Sequence, residues 1–206
     1  MKPIDVAGFE RKFRENIDPW NYGSSPFERF KRRVLIRACG LAKYGRVLEL
    51  GCANGETTRA LTRISLRLLA VDGSATAVAA AKRRLAGSPH VTFTGLTVPE
   101  EMPRGPFDLI IISEIAYYLP QHRLSLLGRR ISASLAHGGR AVVLNHRRMF
   151  DDAAQHPALA HERLIFHLER SLELVDRAEF PRFAVASLVR RQRTRSKHLR
   201  PQRRAW

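Results

Sequence analysis

Val47-Leu48-Glu49-Leu50-Gly51-Cys52-Ala53-Asn54-Gly55-Glu56-Thr57 is the stretch on which the reading of this chain turns. An apolar run reaches an acid, bends through glycines and meets residues that start a helix. That order predicts a strand, a tight loop and a helix N-terminus in direct succession. Gly51 and Gly55 carry no Cβ, so the backbone can turn there and approach a ligand closely. Amides at the start of the helix favour negative groups in the same space. Glu49 is out of place in a pyrophosphate-binding fingerprint, because its charge repels phosphates. A second strand, Arg67–Val71, ends in Asp72, an acid placed to hydrogen-bond ribose hydroxyls. The two acids disfavour a dinucleotide and suit a ligand that combines an ammonium group with a ribose.

Around this stretch the composition sets bounds. The 206 residues, 44% hydrophobic, suffice for one α/β domain with its own core. The N-terminus lacks the apolar run of a signal peptide, and Leu109–Ile112 is far too short to span a bilayer. Cys39 and Cys52 make no disulfide framework, and no Cys/His cluster has metal-ligand spacing. A cytoplasmic protein without membrane attachment or metal is expected. The net charge is +17, but eight Lys or Arg and no acid lie in 190–206, which leaves +9 on the rest. Residues 191–206 therefore read as a basic, disordered tail, solubilising rather than a dedicated nucleic-acid arm.

Taken in order, Phe9, Phe13 and Ile17 predict an amphipathic helix within 5–19, broken by Asp18–Gly23. Ser25-Pro26 starts a second helix whose inner face is expected to carry Phe27, Phe30, Val34 and Ala38. Strands follow at 46–50, 67–72, 91–94, 107–113 and 140–144. Between them lie a helix with Ala60, Leu61 and Ile64, a helix over 75–86 capped by Ser74, and a helix over 121–136 ended by His137-Gly138-Gly139. Leu164, Ile165, Leu168, Leu172 and Val175 place a last helix near 160–175, before strands at 177–182 and 184–190. Alternating strands and helices predict a mostly parallel sheet covered on both faces, with ligands beyond the carboxyl ends of the strands. Glu49, Asp72, Ser113–Tyr118 and Asn145-His146 all fall on that edge.

Glu49-Leu50-Gly51-Cys52-Ala53-Asn54-Gly55 resembles the first motif of class I S-adenosylmethionine-dependent methyltransferases, with Ala53 in the place of the middle glycine. Asp72 resembles the ribose-binding acid of that family, Phe107–Ile112 its fourth motif, and Gly138-Gly139 the glycines before strand five. Leu96-Thr97 stands where an Asp often meets the adenine amine, which leaves the Leu96 backbone for that contact. Asp18-Pro19-Trp20, Pro26-Phe27-Glu28-Arg29 and Ser113–Leu119 are similar to the nodulation protein S family of N-methyltransferases, over about residues 10 to 190.

The resemblance implies a Rossmann-like α/β fold, a seven-stranded mostly parallel sheet with helices on both faces and its last strand antiparallel. Residues 1–45 would supply N-terminal helices that form a lid, 46–190 the methyltransferase core, and 191–206 the tail. The implied cofactor is S-adenosyl-L-methionine. Trp20, Arg29, Glu49, Gly51, Ala53, Gly55, Asp72, Leu96 and Ser113 would bind it: Glu49 for the ammonium, Arg29 for the carboxylate, Asp72 for the ribose and Trp20 as a closing cover. The implied acceptor is a small-molecule or oligosaccharide amine, namely an amino sugar of a deacetylated chitooligosaccharide in Nod-factor-like synthesis. Glu114 is the candidate to orient that amine and take its proton, or else only favours a helix start by its charge. Tyr117 and His146 are further catalytic candidates that equally read as packing residues. A monomer or weak dimer is expected.

An RNA or other small-molecule methyltransferase, or a basic nucleic-acid-binding protein on a degenerate cofactor fold, would also account for the charge. Ser113-Glu114-Ile115-Ala116, in place of Asn-Pro-Pro-Tyr at the strand-four edge, argues against nucleobase amines as acceptors.

Overall fold

The structure is a computed structural model that describes residues 3–191, so the expected disorder of the tail from 192 onward lies outside the described residues. Two helices come first, α1 (Val6–Glu15) and α2 (Pro26–Ala38). Then β1 (Tyr44–Leu50), α3 (Glu56–Leu61), β2 (Ser65–Asp72), α4 (Ala75–Arg84) and β3 (Val91–Gly95) form one half of the fold. The other half is β4 (Phe107–Ser113), α5 (Gln121–Ser134), β5 (Leu135–His146), α6 (Pro157–Glu169), β6 (Glu173–Glu179) and β7 (Phe183–Val189). The seven strands make one sheet in the order β3-β2-β1-β4-β5-β7-β6. β7 runs antiparallel to both of its neighbours and the other pairs are parallel. The Rossmann-like seven-stranded architecture is the one that the sequence implies.

The central strand explains why the sheet is covered on both sides. Leu109, Ile110, Ile111 and Ile112 of β4 are all 0% exposed, which requires a helix layer against each face. Leu48, Leu50, Ile110 and Ile112 face one way, into a core with Leu124, Leu127 and Ile131 of α5 and Leu164, Ile165 and Leu168 of α6. Val47, Leu68, Leu109 and Ile111 face the other way, toward Leu35 of α2 and Leu61 of α3. Ala81 of α4 closes on Ala70 and Cys52 beside them. Each large side chain so buried contributes roughly 1.5–3 kcal/mol. Strand switching about β1 and β4 leaves the crevice between their carboxyl ends open for a ligand.

Several boundaries differ from the expected ones. α1 ends at Glu15 and leaves Ile17 outside and exposed, because Asn16 and Asp18 turn the chain by accepting backbone amides. α2 starts on Ser25 and Pro26 as read, yet its most buried residues are Glu28, Lys31, Leu35 and Ala38, and Phe30 is exposed. The helix turns a charged stripe toward the sheet edge, while Phe30 packs on Phe180 and Phe183. The last helix ends at Glu169, so Leu172 and Val175 are not helical. Their spacing mimicked a helix, but residues 173–179 pair with β7 as the edge strand. Its Glu173, Asp176, Arg177 and Glu179 suit an edge that must not recruit another chain. β5 begins at Leu135, so His137-Gly138-Gly139 lies inside a strand, held by paired hydrogen bonds between Gly138 or Gly139 and Arg190.

The loop after β1 adopts left-handed backbone at alternate residues, Gly51 (φ 78), Ala53 (φ 47) and Gly55 (φ 85). A Cβ on Gly51 would lie 2.6 Å from Ile115 Cγ2, and one on Gly55 would meet Ala81 at 3.0 Å. Ala53 bears the left-handed cost of about 1–2 kcal/mol that glycine avoids. Behind the loop, Glu49 is 1% exposed and accepts the hydroxyl of Thr58 at 2.6 Å. Burial, partly opposed by that bond and reinforced by the charge of Asp72, pushes its carboxyl up to about 8.

Gly51→Ala should lower the thermal unfolding midpoint by several degrees, since about 1–2 kcal/mol of backbone strain adds to a clash. Ala53→Gly should leave the midpoint unchanged or raise it; a fall comparable to that of Gly51→Ala would refute the loop geometry. Glu49 gives a pH-dependent counterpart. Its folded value lies above its unfolded one, so its contribution is intact below about 4.5 and is lost as pH rises toward 8. The midpoint of Glu49→Gln relative to wild type should therefore improve between pH 5 and pH 8. A difference that stays flat across that range would show that Glu49 is not held neutral.

Candidate active site

Asp72 is the hinge of the site. It ends β2, and its Oδ2 accepts the Ala53 amide at 2.9 Å while Oδ1 accepts the Ser74 amide at 2.9 Å. The Gly51 and Cys52 amides both donate to Val71 O, at 2.8 and 3.0 Å. The loops after β1 and β2 are thus fastened together at one carboxylate. Burial raises the titration of Asp72, and amides of Ser74, Ala53 and Gly73 oppose that rise.

From this hinge a cavity of about 300 Å³ runs along the carboxyl edge of the sheet. At one end its wall is Leu96, Thr97, Val98 and Arg123; in the middle it is Gly51, Ala53, Asp72 and Ser113. At the other end stand Glu28, Lys31, Glu114, Tyr117, His146 and Arg182. Trp20 forms part of the cover, packed edge-on against Phe13 at 5.6 Å, beside Tyr22 at 5.5 Å and under Lys12 Nζ at 5.4 Å. Phe9 meets Tyr118 edge-on at 4.8 Å.

α1 is fixed over the cavity by Glu10. Its carboxylate accepts the hydroxyls of Ser74 and Thr76, each at 2.7 Å, and the Thr76 amide at 3.1 Å. These bonds, led by the Thr76 hydroxyl, hold the Glu10 carboxyl down to about 2. Lys12 adds an ion pair with Asp152 at 2.7 Å.

The far end of the cavity is built on a buried triad. Lys31 Nζ lies 2.8 Å from the Glu28 carboxylate and 3.2 Å from that of Glu114. The Tyr117 hydroxyl donates to Glu114 Oε2 at 3.4 Å, and Glu114 Oε1 faces Lys31 Nζ at 3.2 Å. Burial, reinforced by Glu114, pushes the Tyr117 hydroxyl far above its ordinary range, so it serves as a donor and not as a base. His146 is 6% exposed, and its Nδ1 accepts the Arg148 amide at 3.1 Å. Burial, then the charges of Lys31 and Arg182, lower it to about 4. The ring is therefore neutral near pH 7, with its proton on Nε2, and offers a donor where a base was expected.

The structure brings Trp20, Gly51, Ala53, Asp72, Leu96, Ser113, Glu114, Tyr117 and His146 to this one cavity. It places three expected residues elsewhere. Arg29 is exposed and donates to Ser24 O at 2.7 Å, because it lies on the outer side of α2. Arg32, one turn on, points inward and donates to Tyr22 O at 3.2 Å. It lines a small recess of about 30 Å³ with Asn54, Glu56 and Thr57 beside the main cavity. Glu49 lies beneath the loop, facing Thr58, and supports the wall without forming it. Gly55 packs against Ala81 and Leu85 and shapes the loop from behind. Asn145, on the same strand edge, is 0% exposed and turned to His161, 3.3 Å away. The start of α3 does not present bare amides to an anion, since Glu56 stands there with Arg59, Arg84 and Arg32 around it.

Sequence reasoning leaves open that one of Arg29, Lys31, Arg32 and Arg33 reaches inward to a carboxylate, as Lys31 does, and misses Glu10 and Arg182. Lys31 had a legible signal in its spacing from Glu28, three residues earlier on a helix. Glu10 and Arg182 had none, because their partners are distant in sequence. Among the described residues no group of three His, Cys, Asp or Glu could hold a metal, and no helix is long and apolar enough to cross a membrane.

Comparison with known proteins agrees with this geometry. The model of the nodulation protein S (NodS) family matches residues 5–180. Nodulation protein S of Rhizobium tropici is 31% identical over 103 residues, 50% of this chain and 43% of that protein. The Azorhizobium caulinodans protein of the same name is 31% identical over 120 residues, 58% of each. The chain thus spans about half the length of the curated relatives it matches. The crystal structure of N-methyltransferase NodS from Bradyrhizobium japonicum WM9, in complex with S-adenosyl-L-homocysteine, superposes with a TM-score of 0.78. That match covers 91% of this chain and 99% of the other at 23% identity, which establishes a common fold. With the family model matched over most of its length, this chain belongs to the nodulation protein S family.

Proposed function

We propose that this protein is an S-adenosylmethionine-dependent methyltransferase that methylates the amine of an amino sugar, of the deacetylated chitooligosaccharide kind. The observation that carries the reading is a cavity along the carboxyl edge of the sheet that runs from Asp72 to the Lys31–Glu114 pair, with the buried Asn54 Oδ1, at the recess beside it, left without a partner. Unpartnered buried acceptors are costly in a folded protein and mark places where a donor or a cation binds.

The residues present suit the cofactor. Asp72 retains acceptor capacity for ribose hydroxyls beyond its two amides. Leu96 and Val98 offer an apolar wall for a purine. Asn54 Oδ1 would accept from the amino-acid ammonium, its amide orientation being set by the bond from Nδ2 to Ile17 O at 3.3 Å. Arg32 would take the carboxylate expected of Arg29. When bound, S-adenosylmethionine supplies a methyl carbon on a positively charged sulfur, open to displacement by an amine lone pair.

The chain's own residues then hold the acceptor. Glu114, paired with Lys31, accepts an N–H of the amine at its carboxylate and so directs its lone pair. Tyr117 fixes one oxygen of Glu114. As the amine sheds its proton, that proton is held at the Glu114 carboxylate before it passes to solvent. His146, with its proton on Nε2, donates to an acceptor oxygen. α1 and Trp20 act as the lid that keeps water from the reacting pair. Orientation of amine and methyl in a near-attack geometry accounts for much of the rate.

The direct test is transfer of radiolabelled methyl to deacetylated chitooligosaccharides. Labelling of another amine class, with none in these sugars, would overturn the acceptor; no transfer to any amine would overturn the enzyme. Glu114→Gln should lower kcat by roughly 10²-fold with cofactor affinity retained, since Gln cannot hold the proton. Equal kcat would remove Glu114 from the chemistry. By calorimetry, Asp72→Ala should weaken S-adenosylhomocysteine binding by about 10–100-fold through lost charge-assisted hydrogen bonds. In the same titration Arg32→Gln should weaken binding and Arg29→Gln should not; the reverse order would restore Arg29 to the site.

A further inference from the structure

With the ribose on Asp72 and the amino-acid part at the Asn54 recess, the purine of the cofactor falls at the remaining end of the cavity. Leu96, Thr97, Val98 and Arg123 form the wall there. Leu96 is apolar and stands where an acid often meets the adenine amine. Its amide does not make up the loss, because it donates to Asp72 O at 3.0 Å and is already spent. The Thr97 amide donates to the Glu101 carboxylate at 2.7 Å, and the Thr97 carbonyl accepts the Glu101 amide at 2.9 Å. Glu100 and Glu101 stand outside the wall. Asp5 touches the cavity but is exposed, and its Oδ1 is taken as the cap of α1 by the Gly8 amide at 2.8 Å.

The charged group that this end presents is Arg123, in the first turn of α5. Its Nε donates to Glu100 Oε1 at 2.9 Å, and its Nη2 donates both to Glu100 and to Val98 O, the latter at 3.1 Å. Three of its five N–H groups thus fix the plane of the guanidinium. The two on Nη1 have no acceptor among the described residues.

A group that offers only donors treats purines differently from an acid. A 6-oxo purine presents acceptors at O6 and N7, whereas a 6-amino purine sets a donor at N6 beside the N7 acceptor. A carboxylate favours the amine and repels the oxo oxygen; a guanidinium does not favour the amine. The Thr97 hydroxyl serves either base, as a donor to O6 or an acceptor from N6. We propose that this chain reads the purine through Arg123 and without a carboxylate, so that it does not select the 6-amino group and takes a hypoxanthine cofactor about as well as an adenine one. The inference rests on the methyltransferase reading and concerns how the cofactor is chosen, not the acceptor.

Calorimetric titration of the full chain with S-adenosyl-L-homocysteine and S-inosyl-L-homocysteine, which differ in the amino or oxo group of the purine, tests it. The two Kd values should agree within about threefold. Leu96→Asp restores an acid to the wall and should make the adenosyl compound bind about tenfold or more tighter than the inosyl one. Arg123→Met should weaken the inosyl compound by about tenfold and the adenosyl compound less, the difference expected where one purine offers the guanidinium two acceptors and the other offers one. A ratio of Kd values does not depend on the fraction of protein that folds, which the stoichiometry reports. Binding of the adenosyl compound by the wild type tenfold or more tighter, or a ratio that neither substitution moves, would overturn the inference and leave the methyltransferase reading standing. Binding of neither compound would overturn both.

Discussion

The site depends on where one carboxylate finds its partners. Asp72 accepts an amide from the loop after β1 and another from the turn after β2. Neither loop has a regular hydrogen-bonding pattern of its own, and buried amides without acceptors are costly. The charge of Asp72 therefore does structural service before any ligand arrives. It explains why a left-handed, non-glycine Ala53 is tolerated: the φ of 47 places the Ala53 amide on Asp72 Oδ2. The strain is offset by a charge-assisted bond in a poorly solvated place.

The chain is strongly basic, yet its cavity is lined or backed by acids. Asp72, Glu114 and Glu28 line it, and Glu49 lies just behind. Most of the arginines lie on outer helix faces or in ion pairs at the surface. A net charge of +17 thus says little about the ligand. What governs the cavity is where its few charges stand: Asp72 in the middle, and Glu28 and Glu114 with Lys31 and Arg182 at the far end. Lys31, 6% exposed, lies against both Glu28 and Glu114 and offsets the repulsion between the two carboxylates.

Much of the fold was legible because its signals are local. The unbroken apolar run of β4, the glycine bend after β1, and the caps Ser25 and Ser74 each announce an element within a few residues, and each stands where it was read. The errors share one cause. Leu172 and Val175 continue a helical spacing, but their partner strand β7 decides the conformation, and no local pattern reports pairing with a later strand. The burial of α2 failed in the same way: four apolar residues defined a face, while the pull of Glu114 on Lys31 turned the helix toward a charged one. The residues that fall on the strand edge were legible from topology alone. Those that come from α1, α2 and the β6–β7 turn were not, because their place in the cavity is set by tertiary docking.

Ser74 shows how closely these levels are joined. Its amide donates to Asp72, its hydroxyl caps α4 by accepting the Ala77 amide at 3.1 Å, and the same hydroxyl donates to Glu10 at 2.7 Å. One small residue thus connects the ribose-side acid, the start of a sheet-covering helix and the helix that roofs the cavity. A ligand that draws on Asp72 perturbs the turn that holds Ser74, and a displaced α1 removes the acceptor for the Ser74 hydroxyl. Any such coupling must be reciprocal: whatever favours the docked roof favours the ligand by the same free energy. The depressed titration of Glu10 sets the direction with pH. Its folded value lies below the unfolded one, so the stabilisation is present above about 4.5 and is lost only as pH falls toward 2. Across the neutral range α1 is held over the cavity by a charged latch.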